Sequence, residues 1–304
     1  MRILAIDIGG TAIKSAICTE KGEILELRET DTNAKDGGGP AVMQRALEIA
    51  RSYQDFECIG ISTAGQVDPH NGVIIYANEN IPNYTGTNVK KIFEDEFGVL
   101  TTVENDVNCV AVGETHFGAG RGYNHLLCLT YGTGVGGAIM INRHIYGGGR
   151  GLAGEFGHII THPNGKQCAC GQHGCYEQYA STTALVREAR KIDPGLYNGR
   201  LIFEEWHKGN TAVRMVVDDW IDEIVFGLVT LVHIFNPEAL VLGGGILNEP
   251  YIENEINRRI YKRVMQSYNQ FRIVKTELKN SAGLLGAATI AFLTKIEKYD
   301  PVAR

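Results

Sequence analysis

Four residues near the middle of the chain are spaced as metal ligands. Cys168, Cys170 and Cys175 fall within eight residues, and His158 lies ten residues before the first of them. Three thiolates and one imidazole form a complete tetrahedral ligand set for zinc, which leaves no position for a bound water. The spacing therefore predicts a structural zinc ion. A disulfide is the alternative, but cysteines two positions apart form a strained ring, and the composition is that of a protein from a reducing compartment.

Two carboxylates stand beside the predicted metal ligands. Glu155 lies three residues before His158, and Glu177 lies two residues after Cys175. A closed metal site would fix the backbone around both side chains. Fixed acidic groups are suited to accept hydrogen bonds from hydroxyls, so we expect this segment to hold a polyhydroxylated ligand.

Two glycine-rich turns could bind phosphate, because glycine lets backbone N–H groups approach phosphate oxygens without a Cβ in the way. The first turn joins predicted strands 3–8 and 13–18, and Asp7 at the end of the first strand could hold magnesium through water. Its residues are Gly9, Gly10 and Thr11. The second turn joins predicted strands 126–130 and 138–142. Its residues include Gly132, Thr133, Gly134, Gly136 and Gly137. The similarity of the two hairpins favours a weak internal duplication; an ordinary hairpin turn is the alternative for each.

A possible proton acceptor lies where a predicted strand, 99–103, gives way to a helix. Asn105 and Asp106 occupy this junction. The free N–H groups at a helix N-terminus favour the ionised form of a carboxylate, which is the form that accepts a proton. A simple N-cap is the alternative. Both can hold at once if one residue caps the helix and the other faces a ligand.

The hydrophobic pattern predicts the elements that must carry these residues. A long apolar helix is expected from about Thr211 to Phe235 and a closing helix of small residues over 283–296. A buried strand at 239–242 runs into a glycine run that could bring a ligand against the backbone. That run consists of Gly243, Gly244 and Gly245, for which a bare strand-to-helix turn is the alternative. Further elements are expected as helices at 200–208 and 252–265 and strands at 58–62, 73–76 and 272–276.

These motifs resemble those of the ROK family (repressors, open reading frames and sugar kinases). The similarity lies in Gly-Glu-Phe-Gly-His at 154–158, in the cysteine segment 168–181, in Glu-Asn-Asp-Val-Asn at 104–108 and in Asp-Ile-Gly-Gly-Thr at 7–11. It covers nearly all of the chain. The resemblance implies an α/β protein of the actin-like ATPase (ribonuclease H-like) fold, with two α/β domains and the active site in the cleft between them.

The resemblance also implies domain limits and an activity. The smaller domain would take 1–118 together with 283–304, and the larger one 119–282. The activity would be ATP-dependent phosphorylation of a hexose hydroxyl, the 6-OH of a sugar such as glucose, with Mg²⁺ and a structural Zn²⁺. Asp106, with a pKa near its ordinary value, would be the base.

The other roles follow from the same resemblance. The sugar would be held by Gly65, Asn105, Asp106, Glu155, His158 and Glu177. The nucleotide would be held by Asp7, Gly9, Gly10, Thr11, Gly132, Thr133, Gly134, Gly136 and Gly137, with Gly243, Gly244 and Gly245 at the adenosine. The metal ligands would be His158, Cys168, Cys170 and Cys175.

Three alternatives stay open. A kinase of the same family could act on N-acetylmannosamine, N-acetylglucosamine or fructose instead. A sugar-sensing regulator is disfavoured, because such members carry a DNA-binding segment before a phosphate hairpin that here begins at residue 3. A sugar-binding protein without catalysis is disfavoured because Asp7, Thr11 and Asp106 are all present.

Composition narrows the possible partners. The 304 residues carry a net charge of -6 without a long basic run, so nucleic acid is not a favoured partner. The N-terminus does not resemble a signal peptide, and no apolar run is long enough to cross a bilayer. We therefore expect a cytoplasmic protein. The resemblance implies that it binds a small sugar and ATP and forms a homodimer or homotetramer.

Overall fold

The computed structural model describes residues 1–296. Residues 297–304, the end of the predicted closing segment, lie outside this part. The strands are β1 (Arg2–Ile8), β2 (Ala12–Thr19), β3 (Ile24–Asp31), β4 (Cys58–Thr63), β5 (Gln66–Asp68), β6 (Val73–Tyr76), β7 (Thr101–Asn105), β8 (Leu126–Tyr131), β9 (Val135–Ile141), β10 (His144–Ile145), β11 (Ala239–Gly243) and β12 (Arg272–Lys275). The helices are α1 (Gly38–Arg51), α2 (Val89–Phe97), α3 (Asp106–Phe117), α4 (Glu177–Ala180), α5 (Thr182–Ala189), α6 (Gly199–His207), α7 (Thr211–Phe235), α8 (Pro250–Ile260) and α9 (Ala282–Lys295).

Two five-stranded sheets share one strand order. It is β3-β2-β1-β4-β7 in the first sheet and β10-β9-β8-β11-β12 in the second. Strands β1, β4 and β7 are parallel, as are β8, β11 and β12, while β2 pairs antiparallel with β1 and β3. The shared order agrees with the duplication that the two glycine turns favoured.

The chain forms two compact units. Among the described residues, the first takes 1–125, 138–154 and 276–296, and the second takes 126–137 and 155–275. Within residues 1–296, no helix is both long and apolar enough to cross a membrane.

The first unit is packed around β1, whose inward side chains are fully buried. Helix α9 lies directly on β4 and α3, because the chain has glycine at the points of approach. A Cβ on Gly60 would clash with the Ala287 carbonyl, and one on Gly286 would clash with the Cys109 carbonyl. The tight packing expected of the small residues in this helix is thus confirmed.

The second unit is packed around α7, whose limits agree with the predicted ones. Asn210 caps its N-terminus by accepting a hydrogen bond from Val213 N–H, and Asn236 ends it in a left-handed conformation. The buried indole of Trp220 donates to the carbonyls of Ala180 and Ser181, each at 3.0 Å. This contact ties α7 to the segment that follows the cysteines.

Several predicted limits were wrong by a few residues. Strand β7 lies two residues later than expected, because its last residue both pairs with β4 and caps α3. Strand β9 already begins at Val135, so Gly136 and Gly137 lie within a strand and not in the turn. Helix α8 ends at Ile260, since the backbone at Met265 is extended and a short 3-10 turn follows it.

Candidate functional site

The acidic site in the first unit is organised by the start of α3. Asn105 is the N-cap: its side-chain oxygen accepts hydrogen bonds from the N–H groups of Val107 at 2.9 Å and Asn108 at 3.2 Å. Asp106 Oδ1 accepts from Asn105 Nδ2 and from Val107 N–H, both at 2.9 Å. Of the two arrangements that the sequence allowed, Asn105 is therefore the cap and also a donor to Asp106.

Burial changes the acidity of Asp106. The loss of hydration and the nearby charge of Asp7 together raise the pKa of the Asp106 carboxyl to about 6. The Val107 N–H and Asn105 donors lower this pKa, as a helix N-terminus should, but they are outweighed. The expectation of a nearly ordinary pKa was wrong, because burial depends on the packing of distant segments. A carboxylate with this pKa is still mostly ionised at pH 7.

The strand register places Asp7 beside Ser62. These two residues are partners in the parallel pairing of β1 with β4, and Ser62 Oγ donates to Asp7 Oδ1 at 2.6 Å. Burial raises the pKa of the Asp7 carboxyl, and the Ser62 hydrogen bond lowers it. Asp7 thus offers a second, partly buried carboxylate in the neighbourhood of Asp106.

The first glycine turn is held by hydrogen bonds within its own backbone and by Thr32, the residue that follows β3. Gly9 N–H donates to the Ala12 carbonyl at 3.0 Å. The hydroxyl of buried Thr32 donates to the Gly9 carbonyl at 2.7 Å, and Thr32 N–H donates to the Thr11 carbonyl at 2.9 Å. Thr11 itself is exposed, so its hydroxyl is free to meet a ligand. Sequence reasoning missed Thr32, which gives no local signal.

Gly65 lies next to the capping asparagine. Asn105 Nδ2 donates to the Gly65 carbonyl at 2.9 Å, so two of the predicted sugar-binding residues meet directly. Glu104, which sequence reasoning also missed, is buried below them. Its Oε1 accepts from Asn105 N–H at 2.8 Å and from Asn108 Nδ2 at 3.0 Å, and burial raises its pKa to about 7.

The second unit brings the four predicted metal ligands together. One ligand atom of each lies within 4.8 Å of all the others. Cys170 Sγ and Cys175 Sγ are 3.6 Å apart, and Cys168 Sγ is 3.8 Å from His158 Nδ1. Zinc–sulfur bonds of about 2.3 Å at tetrahedral angles require edges of about 3.8 Å. All four residues thus fit a zinc ion, and every cysteine is free, which removes the disulfide alternative.

Tight turns let the cysteines converge. Gly174 has a positive φ of 80°, and a Cβ there would clash with the His162 carbonyl, so the position requires glycine. Cys168 N–H donates to the Gln172 carbonyl at 2.8 Å. The backbone between the second and third cysteines is therefore folded back on itself, as the glycines in this segment indicated.

The two carboxylates beside the cluster take different positions. Glu177 Oε1 accepts from Cys168 Sγ at 3.1 Å, and its Oε2 would lie 2.5 Å from a Cβ added to Gly134. Glu155 Oε2 lies 4.0 Å from His158 Nε2, the ring nitrogen that does not face the cysteines. Glu177 therefore lies between the cluster and the second glycine turn.

The remaining predicted nucleotide residues of the second unit also lie close together. Gly132 and Thr133 are exposed at the end of β8, and Thr130 of β8 pairs with Gly243 of β11. Gly244 has a φ of 123°, and a Cβ on it would clash with the Tyr131 carbonyl. The glycine run after β11 thus packs directly on the residue before the second glycine turn.

The predicted residues therefore form two groups. The first unit brings together Asp7, the first glycine turn, Gly65, Asn105 and Asp106. The second unit brings together the metal ligands, Glu155, Glu177 and the glycines of the second turn and of the run after β11.

Comparison with known proteins identifies the family. The ROK family model matches residues 3–293. A glucokinase of Thermotoga maritima is 30% identical, over 95% of this chain and 97% of its own length. A β-glucoside kinase of Klebsiella pneumoniae is 31% identical over 94% and 95%. The crystal structure of a ROK family glucokinase from Streptomyces griseus, in complex with glucose and AMPPNP, is 31% identical. It has a TM-score of 0.82 and covers 96% of this chain and 99% of that one. The fold is that of the actin-like ATPases, and the chain belongs to the ROK family.

Proposed function

We propose that the protein is an ATP-dependent sugar kinase that phosphorylates a hydroxyl of a hexose such as glucose, at the 6-position. The observation that carries this proposal is the partly buried Asp106 carboxylate, held by Asn105 and by the Val107 N–H at the start of α3. The glucokinase and β-glucoside kinase relatives, and the glucose and AMPPNP in the Streptomyces structure, support it.

Asp106 would accept the proton of the attacking hydroxyl. A pKa of about 6 makes it a stronger base than an ordinary aspartate while leaving it mostly ionised at pH 7. General base catalysis of this kind contributes about 10²- to 10⁴-fold to a rate. The fixed donors of Asn105 and Val107 keep the carboxylate in one orientation, so the hydroxyl meets it without further ordering.

Asp7 would position magnesium through water. A buried carboxylate that receives one serine hydrogen bond keeps its second oxygen for such a role, and oxygen ligands suit this ion. The ion, when bound with ATP, would neutralise charge on the transferred phosphoryl group. The N–H groups of Gly9 and Gly132 donate to carbonyls within the turns, so the other backbone N–H groups of both glycine turns, with the hydroxyls of Thr11 and Thr133, would bind the phosphates. The glycine run at 243–245 would meet the adenosine.

Asn105, Gly65, Glu155, His158 and Glu177 would hold the sugar. His158 Nδ1 lies beside Cys168 Sγ and would be the nitrogen that holds zinc, so Nε2 would be the one to meet a sugar hydroxyl. Zinc would supply a rigid frame for these side chains, with no part in bond making. Gly136 and Gly137 of β9 remain proposed nucleotide residues.

A panel assay tests the proposal. ATP consumption by the purified protein should be measured with glucose, mannose, fructose, N-acetylglucosamine, N-acetylmannosamine and a β-glucoside. We expect turnover with at least one of them, with phosphate on the 6-oxygen by NMR of the product. An absence of sugar-dependent ATP consumption across the panel would overturn the proposal. Preference for an N-acetylated sugar or for the β-glucoside would change the proposed substrate and leave the proposed reaction as it is.

Several expectations from the sequence analysis remain predictions. They are the domain limits after residues 118 and 282, the homodimer or homotetramer, the cytoplasmic location and the absence of nucleic acid and membrane partners. Size-exclusion chromatography with light scattering would measure the oligomeric state directly.

A further inference from the structure

Two buried tyrosines join the second glycine turn to the cysteine segment. Tyr131 is the last residue of β8, directly before Gly132, and Tyr176 stands between Cys175 and Glu177. Their hydroxyl oxygens are 3.0 Å apart, and both side chains are at most 1% exposed. The rings meet edge to face, with centroids 6.5 Å apart.

The direction of the hydrogen bonds follows from the number of protons. Tyr176 has one hydroxyl hydrogen, which it donates to the Ile224 carbonyl of α7 at 2.8 Å. Tyr131 must therefore donate to Tyr176. The Tyr176 ring rests against the α7 backbone where Gly227 leaves room, since a Cβ on Gly227 would clash with the ring carbon that bears the hydroxyl. The pair thus links a strand end, the cysteine segment and the longest helix of this unit.

The glycine turn also borders the cysteine segment at other points. Thr182 N–H donates to the Gly132 carbonyl at 3.0 Å, and Glu177 packs against Gly134. Gly157, next to His158, approaches the Val135 carbonyl so closely that a Cβ would clash. Since Gly132 and Thr133 are themselves exposed, the shape of the turn depends on these neighbours, of which Gly157 is buried and Glu177 and Thr182 are partly buried.

We propose that Tyr131 and Tyr176 are positioning residues that make nucleotide binding depend on the metal. The metal fixes Cys175 and with it the backbone of Tyr176. The Tyr176 hydroxyl fixes Tyr131, and Tyr131 sets the start of the turn that would bind phosphate. This inference rests on the proposed function, because the phosphate-binding role of the turn is part of it.

A purely local role of the metal has a different consequence. If zinc only held Glu155, Glu177 and His158 for the sugar, its removal would weaken sugar binding and leave nucleotide affinity unchanged. The two possibilities are separated by measuring nucleotide affinity directly, without turnover.

The experiment measures the dissociation constant of AMPPNP by calorimetry in zinc-loaded and metal-free protein, with zinc content checked by atomic emission. Metal removal from the natural protein should weaken binding about threefold, because it acts through the Tyr131 hydrogen bond and costs no more than the loss of that bond. One buried hydrogen bond corresponds to roughly a two- to tenfold change in affinity, so zinc-loaded Tyr131→Phe should bind about threefold more weakly than the natural protein. Metal removal from Tyr131→Phe should add little. An equal response to metal removal in the natural protein and in Tyr131→Phe would overturn the proposal.

Tyr53→Phe is the matched control. Tyr53 is a buried tyrosine of the first unit whose hydroxyl lies 3.0 Å from both Ser15 Oγ and the Glu26 carbonyl. It should respond to metal removal as the natural protein does. If circular dichroism shows that the metal-free protein has lost its fold, the zinc-loaded variants decide, and equal AMPPNP affinity of Tyr131→Phe and Tyr53→Phe overturns the proposal.

Thr133→Ala separates this inference from the proposed function. Thr133 is exposed in the turn, and its loss should weaken AMPPNP binding in zinc-loaded protein by a few-fold. If Thr133→Ala weakens binding but Tyr131→Phe does not, only the coupling is overturned. If neither variant changes the affinity and no sugar supports ATP consumption, the proposed function fails with it.

Discussion

The Asp106 site and the four-ligand cluster hold their acidic side chains in place by different means. Asp106 is held by the chain alone, through the Asn105 amide, a backbone N–H and partial burial. In the cluster, three thiols and one imidazole converge within 4.8 Å, and Cys170 is exposed. Thiolates this close repel one another, so the cluster needs a cation to hold its shape, whereas the Asp106 site does not.

The difference has a thermodynamic consequence. Burying a carboxylate without a cation beside it costs folding free energy, and the raised pKa of Asp106 expresses that cost. The cluster carries no such cost once a metal is bound, because the ion compensates the thiolate charges. In the first unit, the burial that makes Asp106 a stronger base therefore also lowers the stability of the fold. In the second unit, the ordered arrangement of the cluster depends on a bound metal.

The largest expected effect comes from removing the charge of Asp106. Asp106→Asn keeps the size of the side chain but cannot accept a proton, so turnover should fall by about 10²- to 10⁴-fold. Sugar binding, measured by calorimetry, should change little. Asp95→Asn, an exposed carboxylate on α2 that pairs with Lys91, is the control and should keep full turnover. Near-normal turnover of Asp106→Asn would refute the role of Asp106 as base.

The next largest effect comes from the cluster. Cys170→Ser should lower zinc content and raise the sugar KM by about 10- to 100-fold, which is the loss expected for one hydrogen bond to a charged group. The melting temperature should fall as well, because a structural ion contributes to folding. Cys18→Ala, which removes a buried thiol from the first unit, should keep its zinc. An unchanged KM in zinc-free Cys170→Ser would show that the metal does not organise the sugar site.

A smaller effect is expected on the free energy of unfolding. Its sign tests whether the burial of Asp106 lowers the stability of the first unit. The folded pKa of Asp106, about 6, lies above the ordinary value, so the folded protein binds more protons between about pH 4 and pH 6. The contribution of Asp106 to the free energy of unfolding is favourable below pH 4. It is lost as the pH rises through 6, which lowers the stability by up to about 3 kcal/mol.

Asp106→Asn cannot be ionised and should escape this loss. Urea unfolding at pH 7.5 should therefore give a free energy of unfolding about 1–3 kcal/mol higher for the variant than for the natural protein, and the difference should shrink towards pH 4. A variant that is less stable at pH 7.5 would mean that the hydrogen bonds of Asp106 outweigh its burial, and the contrast between the two regions would disappear.

The cluster was predictable from the sequence because its ligands are close in the chain and because three cysteines with one histidine are typical ligands of zinc. Helix α7 was predictable for a similar reason, since its apolar stripe is a local signal. The pKa of Asp106 was not predictable, because burial sums over segments that are far apart in the chain.

Contacts between distant residues escaped prediction for the same reason. Ser62 meets Asp7 across 55 positions, and Tyr131 meets Tyr176 across 45. Serine and tyrosine are common residues, and only the strand register and the packing on α7 give these two pairs their significance. Family resemblance named the residues that would touch ligands but did not reveal the ones that support them.

Ser62→Ala should have the smallest effect and tests how far the chain alone organises the acidic site. The Ser62 hydrogen bond lowers the pKa of Asp7, so its loss should raise that pKa further and weaken the hold on magnesium. We expect the Mg²⁺ concentration for half-maximal turnover to rise about two- to tenfold, the range for the loss of one ordinary hydrogen bond. The rise should be greater at pH 6 than at pH 8, because only the ionised carboxylate holds the ion. Ser52→Ala, an exposed serine at the end of α1, is the control. A Mg²⁺ dependence equal to that of the control would mean that burial and the strand register position Asp7 without help from a side-chain donor.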